Sequence, residues 1–167
     1  KTILGAKVSM TVALIANVIA VPLGMILGAI AGFYGGKRDA VIVWGFSTLA
    51  SIPGIVLLIS LKFAFNRVEF QIGGWDFSLA GLFGLCLALG AISWIGTCRL
   101  VRAETMKLRE LDYVMAARAT GMSGFPILLR HIMPNILHLG IINFSLGFVG
   151  AIKGEVILSY LGLGIKD

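Results

Sequence analysis

The stretch VSMTVALIANVIAVPLGMILGAIAGFYGG, residues 8–36, contains no charged side chain. A helix of about 20 residues crosses the roughly 30 Å of hydrocarbon in a bilayer, so this run is long enough to span a membrane. Three further runs, 40–61, 77–98 and 132–152, also lack Asp, Glu, Lys and Arg. The sequence therefore predicts an all-α integral membrane protein, a polytopic helical bundle with four full spans. A fifth apolar piece, residues 156–165, is too short to cross and is expected to form a short terminal helix.

The composition agrees with a membrane environment. Of the 167 residues, 58% are hydrophobic and 13% are charged, whereas roughly a quarter of residues are charged in an ordinary soluble domain. The net charge of +6 comes from basic residues that lie between the predicted spans, where their role is to set topology. We therefore expect contact with the lipid bilayer and no nucleic-acid partner.

The beginning and end of the chain give a further expectation. The first apolar run is too long for the core of a cleavable signal peptide. The sequence starts without Met and stops soon after an apolar segment. We expect residues 1–167 to form a single transmembrane domain that lacks spans at both ends.

The distribution of basic residues predicts the orientation. Short loops rich in Lys and Arg stay on the cytoplasmic side, which places the segment 99–130 inside. The turn at Lys37 and Arg38 then also lies inside, because two spans separate it from that segment. The N-terminus and a short external turn over residues 66–76 are expected outside. The basic residues of the inner segment are Arg99, Arg102, Lys107, Arg109, Arg118 and Arg130.

Small residues recur at every fourth position of the first span, which places them along one ridge of a helix. A ridge with so little side-chain relief lets a second helix approach closely. We favour packing against a helix of the same subunit over a dimer contact. The residues of the ridge are Ala16, Ala20, Gly24, Gly28, Gly32 and Gly36.

Prolines inside the spans suggest where a pathway could lie. Pro22 and Pro53 each remove a helical hydrogen bond and bend the axis, and the freed carbonyl groups are tolerated only against protein or water. Candidate pathway residues are therefore Pro53 and the nearby Ser47, Thr48 and Ser51. A plain kink against a neighbouring helix is the simpler alternative.

Other polar residues offer little chemistry. Lys153 and Glu155, at the outer end of the last span, are candidates for an outer gate, although marking the membrane interface is the simpler role. His131 and His138 lack a third ligand nearby, so we expect no metal site. The spans contain no HExxH pair and no paired carboxylates, so no catalytic residue is expected.

The segment YVMAARATGMSGFPILLRHIMPN, residues 113–135, differs from its surroundings. Apolar residues at helical spacing and interspersed charges predict a short helix lying across the end of the preceding span. Gly121 is a natural C-terminal stop, and Ser123 with Pro126 is a natural new start. The chain then re-enters the bilayer with a bend at Pro134. Low-profile alanines on the short helix could fit a groove on another protein, and an ordinary connecting loop is the alternative.

This segment resembles the EAA-type motif of binding-protein-dependent ABC importer permeases. Ala116 with Ala117, Gly121, and Met133 with Pro134 fall at the spacings of that motif. The strings AARATGMS and RHIMPN are similar to the dipeptide, oligopeptide and nickel branch, and so are GAKVSM at residues 5–10 and LSYLGLG at residues 158–164. Met115 stands where the family usually has an acidic residue, although Asp112 lies three residues earlier on roughly the same helical face.

The resemblance implies a function. The chain would be a permease subunit with the type I transmembrane-domain fold, in the inner membrane of a prokaryote, forming the pathway for peptides, or for nickel or other small solutes. Its partners would be a second permease subunit, two cytoplasmic ATPase subunits that bind ATP and Mg, and an extracytoplasmic solute-binding protein. The chain itself has no ATP site, because GGKRD lacks the Ser or Thr that follows Lys in a phosphate-binding loop. It is therefore expected to hold no cofactor and to be no enzyme.

The resemblance also assigns roles to residues. The segment 103–130 would be the coupling segment that sits on the ATPase, and the turn after it would set the angle of re-entry. A secondary transporter or channel not driven by ATP is the alternative, against which the uncharged middles of the spans count. The coupling residues would be Asp112, Tyr113, Ala116, Ala117, Arg118, Gly121 and Ser123, and those of the re-entry kink His131, Pro134 and Asn135.

Overall fold

The computed structural model describes residues 2–65, 69–72, 75–78 and 82–160. Helices make up most of this part of the chain, and a two-stranded hairpin lies between the third and the fourth. A π-helical turn, Leu128–Ile132, precedes the last helix. The elements are α1 (Thr2–Tyr34), α2 (Gly36–Ala50), α3 (Gly54–Phe65), β1 (Glu69–Ile72), β2 (Trp75–Ser78), α4 (Leu82–Leu108), α5 (Asp112–Ala119), α6 (Gly124–Ile127) and α7 (Met133–Tyr160).

Three helical stretches of the described chain are long and apolar enough to cross a membrane. They are Met10–Tyr34, Cys86–Leu108 and Gly124–Gly154. A fourth crossing exists only if α2 and the first part of α3 count as one span, since the two helices are bent by 89°. The predicted helical membrane architecture is confirmed, with three such helices and one bent pair.

The predicted second span, residues 40–61, is not one helix. The chain leaves the helical conformation between Ala50 and Gly54, because Pro53 lacks an N–H and disfavours the helical conformation of the residue before it. Pro22 has no such effect: α1 continues through it as one helix of 33 residues. Of the two proline bends that we predicted, the break at Pro53 is confirmed.

The third span was predicted to begin at residue 77 and to end at residue 98, whereas the helix α4 begins at Leu82. Phe77 lies in β2 and pairs with Phe70 of β1 in an antiparallel hairpin, within the region where the sequence predicted only a turn. Aromatic residues have a high strand propensity, which favours this pairing. At its other end α4 continues to Leu108, because Val101 and Thr105 remain fully buried beyond the predicted end.

The re-entry into the last helix also differs from the prediction. The helix begins as α6, passes through the π-helical turn and becomes α7 at Met133, one residue before Pro134. The Met133 N–H donates to the Leu128 carbonyl, which is the i to i+5 bond of a π-helix. Residues 156–160, predicted to belong to a separate short helix, continue α7 because no proline interrupts them. Residues 161–165 of that prediction lie outside the described residues.

The chain divides into two compact units, and the first comprises Lys1–Ala20, Ser51–Ser93 and Ser145–Asp167. Its core contains Val12 and Ala16 of α1, Leu58 of α3 and Cys86 of α4. Asn17 is also buried, and its side-chain amide donates to the Ala13 carbonyl at 2.8 Å. This bond satisfies a polar group that would otherwise be costly to bury.

The second unit comprises Val21–Ala50 and Trp94–Phe144, and in it the glycine ridge packs directly on α4. A Cβ atom at Gly28 would lie 2.6 Å from the Cys98 carbonyl oxygen, and one at Gly32 would lie 2.6 Å from the Arg102 carbonyl oxygen. The predicted close packing within one subunit is therefore confirmed. Gly36 is a correction: α1 ends at Tyr34, and Gly36 begins α2 with a φ of 57°, so it does not continue the ridge.

Candidate functional site

A short exposed helix, α5, connects α4 to the re-entering segment of the second unit. It ends in a Schellman motif, in which the Gly121 N–H donates to the Arg118 carbonyl and the Met122 N–H donates to the Ala117 carbonyl. Gly121 has a φ of 81°, a left-handed conformation that glycine adopts without steric cost. The predicted stop at Gly121 is thus confirmed, and α6 begins directly after Ser123, where a new start was predicted. The Ser123 side chain makes no capping hydrogen bond.

The two faces of α5 have different surroundings. Val114 and Ala117 are buried in a core cluster with Phe33 of α1, Val101 of α4 and Ile132 of the π-helical turn. This core anchors the helix, and the opposite face of α5 is exposed. The exposed residues of α5 are Asp112, Tyr113, Met115, Ala116, Arg118 and Ala119.

A hydrogen bond joins α5 to the start of α7. The Asn135 side-chain amide donates to the Tyr113 hydroxyl at 3.2 Å and to the His131 carbonyl at 2.7 Å. The second bond supplements the backbone next to Pro134, which has no N–H to donate. The rings of Tyr113 and His131 are 6.3 Å apart. The structure thus brings together residues from both groups that the sequence predicted separately, the coupling residues and the re-entry residues.

Ionic contacts hold the same end of the unit together. Arg102 of α4 forms a two-pronged ion pair with Asp39 of α2, at 2.5 and 2.7 Å. Arg109 donates to the Gly32 carbonyl near the end of α1 at 3.0 Å, which satisfies an acceptor that the helix end leaves open. The turn at Lys37 and the segment after α4 therefore lie at one end of the unit, as the orientation argument required.

Arg118 was predicted, but its neighbours Phe33, Tyr34 and Met122 were missed by reasoning from the sequence. The Arg118 guanidinium lies over the Phe33 ring, 5.3 Å from its centroid, and both residues line a cleft of about 480 Å³ together with Tyr34 and Met122. Asp39 was also missed. Its signal was present, since an acidic residue in the first turn of α2 and an arginine inside the α4 span are both unusual in a membrane segment.

The candidate pathway residues are exposed, but they do not form one group. Ser47 and Thr48 lie on α2 in the second unit, where the Thr48 hydroxyl donates to the Trp44 carbonyl at 2.8 Å. Ser51 and Pro53 belong to the first unit, at the break before α3. Lys153 is exposed on α7, and the side chain of Glu155 lies outside the described residues.

Comparison with known families decides the class of this protein. Residues 21–166 match the family described as binding-protein-dependent transport system inner membrane component. The chain belongs to this family. Its resemblance to ABC importer permeases is confirmed by this match, which covers α5, the re-entering segment and most of the described helices. As a family member it is an integral component of a bacterial inner membrane.

Individual relatives carry the names of peptide transport systems. The oligopeptide transport system permease protein OppC of Haemophilus influenzae is 34% identical over 167 residues, which cover 100% of this chain and 50% of the relative. OppC of Bacillus subtilis is 30% identical over 165 residues, covering 99% and 50%. The dipeptide transport system permease protein DppC of Bacillus subtilis is 29% identical over 166 residues, covering 99% and 48%. The chain thus spans about half the length of these relatives.

Proposed function

We propose that the chain is a transmembrane permease subunit of an ATP-driven importer, and that α5 is the element through which ATPase subunits move it. The observation that carries this proposal is the geometry of α5. One face is anchored in the core through Val114 and Ala117, and the opposite face is exposed. A short helix presented in this way can occupy a groove on a partner protein.

The proposed substrate is a peptide. This follows the names of the relatives, which are permeases of oligopeptide and dipeptide transport systems. Nickel or another small solute is the alternative within the same branch. A second permease subunit would complete the pathway, and an extracytoplasmic solute-binding protein would deliver the substrate. Two cytoplasmic ATPase subunits would bind ATP and Mg, and this chain would hold neither.

The contacts of α5 suggest how movement spreads. The Tyr113 hydroxyl accepts a hydrogen bond from Asn135 of α7. The Arg118 guanidinium lies over the ring of Phe33 of α1. Val114 packs in the core cluster that contains Val101 of α4. A rigid shift of α5 would therefore displace the ends of three helices together. Packed helices respond to such a shift by changing between discrete arrangements, which is how an importer alternates between its inward-open and outward-open states.

The outer face of α5 suggests the chemistry of the partner groove. Met115, in place of the acidic residue usual in the family, is 49% exposed, and methionine adapts well to an apolar surface. Asp112 lies one turn earlier and is exposed, so it can supply a carboxylate on the same face. We propose that the ATPase groove receives Met115 as an apolar contact and Asp112 as a polar one.

The membrane arrangement that we propose has four crossings. The bent pair α2 and α3 would form one broken span, with Ser47, Thr48, Ser51 and Pro53 as candidate lining of the pathway. The end of the second unit that carries α5 would face the cytoplasm, since it bears Lys37, Arg38 and the basic residues after α4. Lys153 and Glu155 would then lie near the outer mouth.

Site-directed crosslinking tests this function. The native Cys86 and Cys98 are buried, so an engineered cysteine at Ala116 would report on the exposed face of α5. We expect Ala116→Cys to crosslink to the ATPase subunit in the complete transport system, and the control Val149→Cys, exposed on α7, to give no such product. Uptake of peptide should require ATP. Uptake driven by a proton gradient without ATP would instead identify a secondary transporter.

A further inference from the structure

An apolar groove of about 350 Å³ lies beside α1, and no residue of α5 lines it. Ile26 and Ile30 of α1 form one wall. Phe125 of α6, Leu129 of the π-helical turn and Met133 of α7 form the other. Phe125 is 62% exposed and Leu129 is 48% exposed, so the groove is open toward the surroundings of the helices.

The groove changes from apolar to cationic along its length. Its polar end is formed by Tyr34 and Arg38, whose guanidinium lies 4.6 Å from the centroid of the Tyr34 ring. Ile26 lies eight residues before Tyr34 on the same helix, which is about 12 Å along the helix axis. Tyrosine and arginine are typical of the headgroup level of a membrane, with apolar residues at greater depth. The groove therefore has the polarity of an amphiphile.

In the part of the chain that the structure describes, no carboxylate forms an ion pair with Arg38. The carboxylates that form ion pairs in this part of the chain have other partners: Asp39 pairs with Arg102, Glu104 with Lys107 and Glu110 with Arg109. Arg38 is exposed and contacts the face of Tyr34. Its guanidinium is thus free to bind an anion from outside the chain, and a phosphate group matches its geometry.

We propose that this groove binds an anionic phospholipid of the surrounding bilayer. One acyl chain would lie along Ile26, Ile30 and Leu129, and the phosphate would bind Arg38. Basic pockets between membrane helices are known to hold the headgroups of anionic lipids. A free phosphate would leave the apolar walls unused, whereas a phospholipid fills both halves of the groove.

The bound lipid would also support the site described above. Leu128 and Met133 line the groove and at the same time pack in the core cluster that holds Val114 and Ala117 of α5. A lipid between α1 and the re-entering segment would therefore stabilise the base on which α5 rests. The binding itself does not depend on the transported substrate or on the ATPase, so it can be tested separately from the proposed function.

Native mass spectrometry of the whole protein, released from micelles with phosphatidylglycerol or phosphatidylcholine, tests the polar half of the groove. We expect phosphatidylglycerol to be retained in preference, and Arg38→Gln to reduce its retention by about fivefold. Lys37→Gln is the matched control, because Lys37 is the adjacent exposed cation and does not line the groove. It should change retention less than about twofold. Equal losses in the two variants, or displacement of the lipid by inorganic phosphate, would overturn the proposal.

A photoreactive amino acid in place of Phe125 tests the apolar half in the complete transport system. We expect an adduct with phospholipid, and this adduct should weaken when Arg38→Gln is introduced into the same protein. An adduct with a polypeptide and none with lipid would show that protein covers the groove, which would overturn the proposal.

Discussion

At the scale of the residue, Gly121 determines how α5 ends. A Cβ atom at this position would meet nothing within 4 Å, but the φ of 81° is one that residues with a side chain rarely adopt. The need for glycine is therefore conformational and does not come from a lack of space. The direction in which the chain leaves α5 for the membrane depends on this one backbone angle.

We predict that Gly121→Val lowers ATP-coupled transport and substrate-stimulated ATP hydrolysis, while insertion into the membrane is unchanged. The substitution costs about 1–2 kcal/mol of backbone strain, which the chain relieves by changing the course of the turn. Gly121→Asn is the control, since asparagine tolerates the left-handed conformation, and it should retain most activity. Transport at the normal rate by correctly inserted Gly121→Val would contradict the proposed role of the turn.

The contact between Tyr113 and Asn135 is a second residue-scale feature with a measurable energy. In a double-mutant cycle of Tyr113→Phe and Asn135→Ala, thermal unfolding in detergent should reveal an interaction of about 0.5–1.5 kcal/mol. Asn143→Ala serves as the control partner, because the Asn143 amide donates to the Leu139 carbonyl in its own helix. A cycle with Tyr113→Phe and Asn143→Ala should be additive. Additivity in the first cycle would mean that the hydrogen bond does not join α5 to α7.

At the scale of the element, the contact between α1 and α4 depends on the absence of side chains. The ridge positions Gly24, Gly28 and Gly32 each lie against a backbone carbonyl group of α4. This contact was predictable, because a four-residue period of small residues is visible in the sequence. The helix that packs against this ridge was not predictable, since any span could have supplied the partner.

We predict that Gly28→Leu destabilises the protein by about 1–3 kcal/mol, because a side chain there must force the two backbones apart. Gly96→Leu is the matched control on α4, where a Cβ atom would meet nothing within 4 Å, and it should change stability by less than about 0.5 kcal/mol. Thermal unfolding in detergent measures both. Equal stability of the two variants would show that the close approach does not contribute.

Element boundaries show where local patterns fail. The break before Gly54 follows from Pro53, a local cause that the sequence displays. The start of α4 was misplaced because the aromatic residues near Phe77 suit a membrane helix as well as a strand. The pairing of Phe77 with Phe70 joins two separate segments, which a local pattern does not show. The π-helical turn before Pro134 was missed for a similar reason, since the hydrophobic period there is compatible with an ordinary helix.

At the scale of the whole molecule, the distribution of charge predicts the orientation in the membrane. The ion pair between Asp39 and Arg102 joins residues 63 positions apart and brings the turn at Lys37 to the same end of the second unit as the segment that follows α4. Two segments that were assigned to one side of the membrane from their basic residues are therefore also neighbours in space.

We predict that single cysteines at Lys37 and Ala116 react with a membrane-impermeant maleimide in inverted vesicles and are protected in intact cells. A cysteine at Gln71, in the hairpin, should show the opposite pattern. The buried Cys86 and Cys98 should contribute little background labelling. Reaction of the cysteine at Ala116 in intact cells would place α5 outside and contradict the proposed contact with ATPase subunits.

The sequence by itself determined the membrane environment, the helical class, the packing ridge of α1 and the end of α5. These features follow from hydropathy, small-residue spacing and the conformational freedom of glycine, which are local properties of the chain. Only the tertiary structure decided which distant groups meet: Tyr113 with Asn135, Arg118 with Phe33, and Asp39 with Arg102. Such pairs depend on how helices pack against each other, and no local pattern in the sequence specifies that packing.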